Sequence, residues 1–370
     1  MKIIIDTTTL LKAVNPLYTA VSPNGILPVL SCFGITATNN GLTIVATNEE
    51  FSVSTLLDKS QLQINDYGSI NINAKMLIEF LKTLKNEPIT ITSKEGFVEI
   101  KTEAGKYKIS CDANDFPPET EITDGSNISL PLKPFVGGLN KVLWSVGTDD
   151  LRPAMCGVLF SADTDGYKIV STSGFVLSEY KQDFSFGYDK LEINAVIPKK
   201  VLQFISKQYL DADDSHQVII NVNDTKIEFI TNDYVIRTVL ISASFPNYAA
   251  VIPQVSSKKA TVDVISLRGI FSTLRYYSGI RKDAVLTFES DKLGAIASDN
   301  DYSLEATETT NCIYNGEPIS IGLNSDYVLS CLSNFQDNVV FHMEHANRSV
   351  LIQNEKYGGY QVLIMPVMQT

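Results

Sequence analysis

Lys168-Ile169-Val170-Ser171-Thr172-Ser173-Gly174-Phe175-Val176-Leu177-Ser178-Glu179-Tyr180 reads as two short strands around a tight turn. Ile169 and Val170 lead in, Thr172-Ser173-Gly174 carries turn chemistry, and Val176 and Leu177 lead out. The design recurs at Ile44–Val53, where Thr47 lies 125 residues before Thr172. It recurs again at Ala295–Leu304, where Ser298 lies 126 residues after Thr172. Three hairpins at a near-constant interval in 370 residues point to one domain written three times. The interval is too long for a solenoid repeat, so each copy needs a core of its own.

The bulk properties bound the class. Hydrophobic residues make up 44% of the chain and charged ones 19%, as in soluble globular proteins. Asp6 interrupts the opening apolar run too early for a signal peptide, and no apolar run approaches a membrane span. Five cysteines (32, 111, 156, 312 and 331), with no Cys-x-x-Cys, predict a reducing, cytoplasmic setting. The net charge of −12 argues against a free-standing DNA binder held by phosphate neutralisation. Any hold on DNA then has to come from something other than overall charge.

Working outward from the hairpins, each third predicts two helices and a majority of strands. The first opens with a strand at Lys2–Asp6 and a helix capped by Thr7, Thr8 or Thr9, running to about Tyr18. That helix carries Leu10, Leu11, Val14 and Leu17 on one face and is kinked or ended by Pro16. Its strands are Cys32–Thr38, Leu42–Thr47, Phe51–Asp58, Ile89–Thr92, Phe97–Thr102 and Lys106–Cys111. A second helix starts near Asn73 with Leu77, Phe80, Leu81 and Leu84 inward. The second third repeats the order, with helices over about Leu132–Val146 and after Pro198. The third begins after the polar run Val255–Lys259, with helices over about Val264–Tyr277 and Asn324–Phe335. The expected fold class is α+β, with antiparallel sheets and domains at 1–124, 125–254 and 255–370.

Familiar catalytic signatures are missing. There is no Gly-x-x-x-x-Gly-Lys, Gly-x-Gly-x-x-Gly or Gly-x-Ser-x-Gly. His342 and His345 of His-Met-Glu-His would point to opposite faces of a strand, so no metal site is expected, and no cofactor or catalytic residue. The basic residues are more informative. Lys75 and Lys82 lie seven apart on one helical face, and Lys200 and Lys207 repeat the pair 125 residues on. Arg268 and Arg275 have the same spacing on the third domain's first helix, and Lys12, Lys133 and Lys141 sit on or near the other first helices. Solvated helix faces explain such residues. So does a mildly positive surface that faces phosphates.

The motif series resembles the bacterial DNA polymerase III beta subunit, the replicative sliding clamp family. It comprises Leu27-Pro28-Val29-Leu30, Asp115-Phe116-Pro117, Gly157-Val158-Leu159-Phe160 and Thr172-x-Gly174-x-x-Leu177. It continues with Phe245-Pro246-x-Tyr248-x-x-Val251-x-Pro253, Asn324-x-x-Tyr327-Val328-Leu329 and Met365-Pro366. The resemblance implies the DNA clamp fold and a head-to-tail homodimer closed as a ring around duplex DNA. Topology would then supply the hold, and Lys12, Lys75, Lys82, Lys141, Lys200, Lys207, Arg268 and Arg275 would face the DNA without reading sequence.

The resemblance also implies a pocket where polymerase, clamp loader and repair proteins insert short, partly hydrophobic peptides. Carried over by position, it uses Met155, Thr172, Gly174, Phe175, Val176, Leu177, Pro246 and Val251. From the last third it uses Asn324, Tyr327, Leu363, Ile364, Met365, Pro366, Val367 and Met368. For the ring interface it implies Lys106, Tyr107, Lys108 and Ile109 on an edge strand, meeting Tyr276, Tyr277, Glu305 and Glu308 of the second subunit. Three departures stand out. Phe175-Val176 replaces a frequent His-Arg, Ala250 replaces an arginine, and Pro153-Ala154 replaces tyrosines after Arg152. A greasier pocket is expected, and that loop is not assigned to DNA. The competing readings are a regulatory homologue that has lost the polymerase, or a hydrolase on a repeated α+β scaffold.

Overall fold

Each helix follows a strand with no loop between them. In the computed structural model Lys2–Asp6 runs into α1 (Thr7–Leu17) and Gly68–Asn73 into α2 (Ala74–Thr83). Ser126–Pro131 runs into α3 (Leu132–Val142) and Ile193–Pro198 into α4 (Lys199–Gln208). Lys258–Asp263 runs into α5 (Val264–Leu274) and Ile319–Asn324 into α6 (Ser325–Leu332). Three strands follow each helix except α1, which has a fourth at Leu62–Asp66, so every third is one strand–helix–strands unit written twice. The structure describes all residues except 24–26, 49, 113, 119–120, 254–255, 355, 357 and 368–370.

Local chemistry sets the helix starts. The Asn73 carboxamide oxygen accepts from the Met76 N–H at 3.0 Å, and the Asp263 carboxylate from the Ser266 N–H at 2.7 Å. At α1 the cap position is Asp6, not one of the threonines. Thr7 is already helical and buried, and its hydroxyl donates to the Lys85 carbonyl at 2.7 Å. α1 passes through Pro16, ends one residue later and continues as a 3-10 turn over Tyr18–Ala20. Its core face is Leu10, Ala13, Val14 and Leu17; Leu11 is half-buried. In α2 Ile78 joins Leu77 and Leu81 in the core, while Phe80 is half-buried against Tyr107, ring centroids 4.8 Å apart.

The strands just ahead of α2 to α6 escape the sequence reading, as does Leu62–Asp66. Lys258 and Lys259, expected in a linker, open a strand because Ala260 and Val262 alternate inward after them.

The chain divides into two units. The first comprises Met1–Val136 and Lys200–Leu240, the second Gly137–Lys199 and Ile241–Thr370. Among the described residues, thirteen strands of the first unit form one antiparallel sheet. Strands of the first and second thirds join in it where Phe51–Leu57 pairs with Val235–Val239, placing Ser52 opposite Arg237. The second unit holds an eight-stranded and a four-stranded antiparallel sheet. In the larger one, Val176–Asp183 pairs with Tyr360–Ile364, placing Leu177 opposite Leu363. Both joints involve a strand of the repeated hairpin. All three hairpins form, with Thr47 opposite Ser52, Thr172 opposite Leu177 and Ser298 opposite Glu305.

Candidate functional site: a groove beside the hairpin, cationic helix faces and two open strand edges

The turn at Thr172 is built from its own side chain. The Thr172 hydroxyl donates to the Val176 carbonyl at 2.8 Å and accepts from the Gly174 N–H at 3.0 Å. Gly174 has φ +89°, and a Cβ there would lie 2.8 Å from a terminal guanidinium nitrogen of Arg152. Arg152 is tied in turn to Asp149 at 2.9 Å, which holds the Asp149 carboxyl below its ordinary range. The turn therefore accepts only glycine without strain. Past the strand, the Met365 N–H donates to the Phe175 carbonyl at 2.8 Å and the Val367 N–H to the Gly322 carbonyl at 2.8 Å. The tail thus bridges the hairpin and the last third's own sheet, beside Asn324, whose side chain caps α6.

Strand alternation sorts the expected pocket residues into two faces. Leu177 and Leu363 are paired across the strands and so share a face. With Val170 and Leu351 they form a buried apolar cluster, covered by Leu159, Phe245, Tyr248 and Ile252. Val176 and Ile364, their neighbours in the strands, are 3% and 0% exposed and point to the other face. Those two residues are sheet core and do not share a pocket with Leu177. Of the Phe175-Val176 departure, only Phe175 presents itself to solvent, at 58% exposure. Val251 and Met365 are the other strongly exposed apolar members. Met155, Pro246, Asn324, Tyr327, Pro366 and Val367 are half-buried; Met368 lies outside the described residues.

Sequence reasoning missed Leu351 and Ile252. Leu351 joins the apolar cluster because it pairs with Leu363, a register that no local pattern reveals. On the same face, a groove of about 630 Å³ runs between Tyr248–Pro253, with Ser256, and the sheet. Lys168, Glu179, Lys259, His342, Gln353 and Gln361 line it. Burial, and then Glu179 beside it, push the Tyr248 phenol above its ordinary range. His342 is 6% exposed, with Nδ1 2.9 Å from the Ser256 hydroxyl and Nε2 2.7 Å from the Gln353 carboxamide. His345 is not on that strand, which ends at Met343. Among the described residues no group of three or more His, Cys, Asp or Glu side chains is placed to hold a metal ion.

The cations separate into two kinds. Lys12, Lys75, Lys82, Lys200 and Lys207 are exposed, Lys82 beside Glu79 at 3.0 Å and Lys200 beside Glu50. The others have structural partners. Lys141 is half-buried, its ammonium 5.0 Å from the Tyr180 ring centroid and 5.3 Å from that of Tyr360, and burial lowers its pKa. Arg268 donates through Nε to the Leu332 carbonyl at the end of α6, at 3.2 Å. Arg275 pairs at 3.0 Å with Asp326 in the first turn of the same helix. The seven-residue spacing that suggests a DNA-facing row on α5 thus fastens the two ends of α6.

The expected interface residues lie on strands with open edges. Lys106–Asp112 is not an edge strand throughout, because Cys111 and Asp112 pair with Ile72 and Asn71. Over Lys106–Ser110 only one side is paired. Tyr107 is 37% exposed, whereas Ile109 is buried at 8%. Leu304–Asn311, which carries Glu305 and Glu308, is an edge of the four-stranded sheet. Near it Tyr276, Ile280, Tyr302 and Leu304 are exposed, while Tyr277 is half-buried. Ile280, at 98% exposure, and Tyr302, both in turns, and Leu304, which opens the edge strand, were not anticipated; as isolated apolar residues they leave no periodic signal.

Three family models match the chain in succession. They describe the N-terminal domain of the DNA polymerase III beta subunit over residues 1–120, its central domain over 129–247 and its C-terminal domain over 249–368. The beta sliding clamp of Vibrio cholerae is 25% identical over 99% of this chain and 100% of its own length. That of Streptococcus pneumoniae strain TIGR4 is 24% identical over 98% of each. A crystal structure of the Pseudomonas aeruginosa DNA polymerase III subunit beta superposes with a TM-score of 0.94, covering 100% of both chains at 22% identity. The Bacillus subtilis DNA polymerase sliding clamp superposes with 0.93, over 100% of both chains at 20% identity.

Proposed function

The chain belongs to the DNA polymerase III beta subunit family, and on that footing we propose that it works as a sliding clamp, a non-catalytic tether that keeps a polymerase on duplex DNA. Two copies pair head to tail. The observation that carries this is a pair of open strand edges of opposite charge, one bearing Lys106 and Lys108 and the other Glu305 and Glu308. Joining them between two chains would continue both sheets and cover Tyr107, Tyr276, Ile280 and Tyr302, an apolar patch of the kind that marks interfaces. Domains bounded near residues 124 and 254 then contribute six similar copies to a closed ring.

A closed ring needs no strong affinity for DNA, which reconciles function with a net charge of −12. Lys12, Lys75, Lys82, Lys200 and Lys207 supply weak, sequence-blind phosphate contacts. Polymerase, clamp loader and repair proteins dock short peptides on the Leu177–Leu363 floor, between Val251, Pro246 and Met365 and beside Phe175. The assembly is tested by native mass from light scattering over a dilution series. Roughly twice the 40.8 kDa chain, held on dilution, supports the two-chain ring; a stable monomer removes it.

A further inference from the structure

The repeat builds the peptide floor twice, and the two copies differ in kind. In the second unit the row across the sheet runs Leu177, Leu363, Leu351, each paired with the next. In the first unit the equivalent strands pair Ser52 with Arg237 and Arg237 with Glu228. The hairpin positions correspond, since Ser52 faces Thr47 as Leu177 faces Thr172. Phe116-Pro117 stands where the other joint has Phe245-Pro246. The first joint also keeps a groove, of about 190 Å³, with apolar walls from Val45, Phe51, Pro117, Pro118, Ile122 and Val239.

We propose that Ser52 and Arg237, which line this second, repeat-related groove, and Glu228, which holds Arg237 in place, are specificity residues that close it to the apolar peptides taken by the Leu177–Leu363 floor. The row is held as a fixed network. Arg237 Nε donates to the Glu228 carboxylate, which also accepts from the Asn221 side chain at 2.8 Å, and Asn127 donates to Asn221. Arg237 is committed to Glu228, which is 4% exposed, so an apolar anchor seated on this row would further desolvate that charged pair and return no hydrogen bond to it. The floor changes further where Gly34 occupies the place of Leu159. A Cβ at Gly34 would lie 2.7 Å from the Phe116 ring, so that ring rests directly on the backbone. At the other joint Phe245 packs against the apolar cluster itself. One docking site per chain, rather than two, follows from these side chains and not from the backbone.

This inference rests on the peptide-docking reading above, and the experiment separates the two. A fluorescein-labelled hexapeptide with leucine and phenylalanine anchors is titrated calorimetrically into the full-length wild type and the S52L/R237L/E228L variant. The expected stoichiometry per chain is one for the wild type and two for the variant, the new site within about tenfold of the old in Kd. A folded variant that still binds one peptide overturns the proposal, as does a wild type that binds two. A wild type that binds none overturns the docking reading and the proposal with it. Should the triple variant fold poorly, R237L/E228L, which keeps Ser52, is used with photo-crosslinking. Crosslinks at Pro117 or Ile122 are then expected only in the variant; their absence refutes the inference.

Discussion

Arg237 and Glu228 offer a quantitative test of how the first unit is packed. Their side chains are 16% and 5% exposed, so this is a desolvated pair and not a surface salt bridge. Removing one partner from such a pair costs about 3–5 kcal/mol, because the other charge stays buried without compensation. Arg237→Ala leaves the Glu228 carboxylate with the Asn221 amide alone. For a unit of this size 1 kcal/mol moves the midpoint by roughly 2–4 °C, so the variant should melt roughly 6–20 °C below the wild type. Replacing both residues with leucine removes both charges together and fills the space, and such swaps are often neutral or stabilising. R237L/E228L should therefore melt close to the wild type. The assay is a thermal scan of the three proteins at equal concentration. A loss under about 1 kcal/mol for Arg237→Ala, the range of exposed pairs, would refute the buried network, as would a double variant less stable than the single one.

Other outcomes follow from the same geometry. Gly174→Ala forces a side chain into positive φ against Arg152 and should cost about 1–3 kcal/mol, weakening peptide binding while the native mass stays that of the dimer. Tyr276→Asp with Tyr302→Asp should give chains of 40.8 kDa in light scattering with an unchanged circular dichroism spectrum; a persisting dimer would move the interface elsewhere. Burial depresses the Lys141 pKa in the folded state, so the folded state takes up its proton less readily than the unfolded one. Its destabilising effect is full below the depressed value and fades as pH rises towards the ordinary lysine value. Lys141→Met should therefore raise the urea midpoint at pH 7 and raise it less at pH 10; an equal gain at both pH values would contradict the assignment.

The repeat was legible because turn chemistry is local. Thr172-Ser173-Gly174 announces its hairpin without help from the rest of the chain, and the same holds at Thr47 and Ser298. Helices were legible from their apolar stripes, with ends shifted by a few residues where a 3-10 turn takes over, as at Leu143–Ser145. Strands such as Ser126–Pro131 and Ile319–Asn324 were not. They are short, run straight into a helix, and owe their extended form to partners distant in the sequence. The site divides in the same way. Residues of the turn and tail could be named in order, but Val176 and Ile364 were placed in the pocket when alternation turns them into the core. Arg268 and Arg275 looked like a surface row until their partners on α6 were located. Leu351 and the Arg237–Glu228 row depend on register between strands, which a single sequence does not display.

Topological retention on DNA is the most direct test of the central claim. The protein is incubated with linear duplex biotinylated at both ends, the ends are then capped with streptavidin, and retention is followed through a wash of rising salt. A ring threaded on the duplex should stay on through high salt and leave when a restriction enzyme cuts between the caps, because no phosphate contact sets its hold. Loss that tracks salt concentration equally with and without the caps would show binding by charge alone and would contradict the clamp.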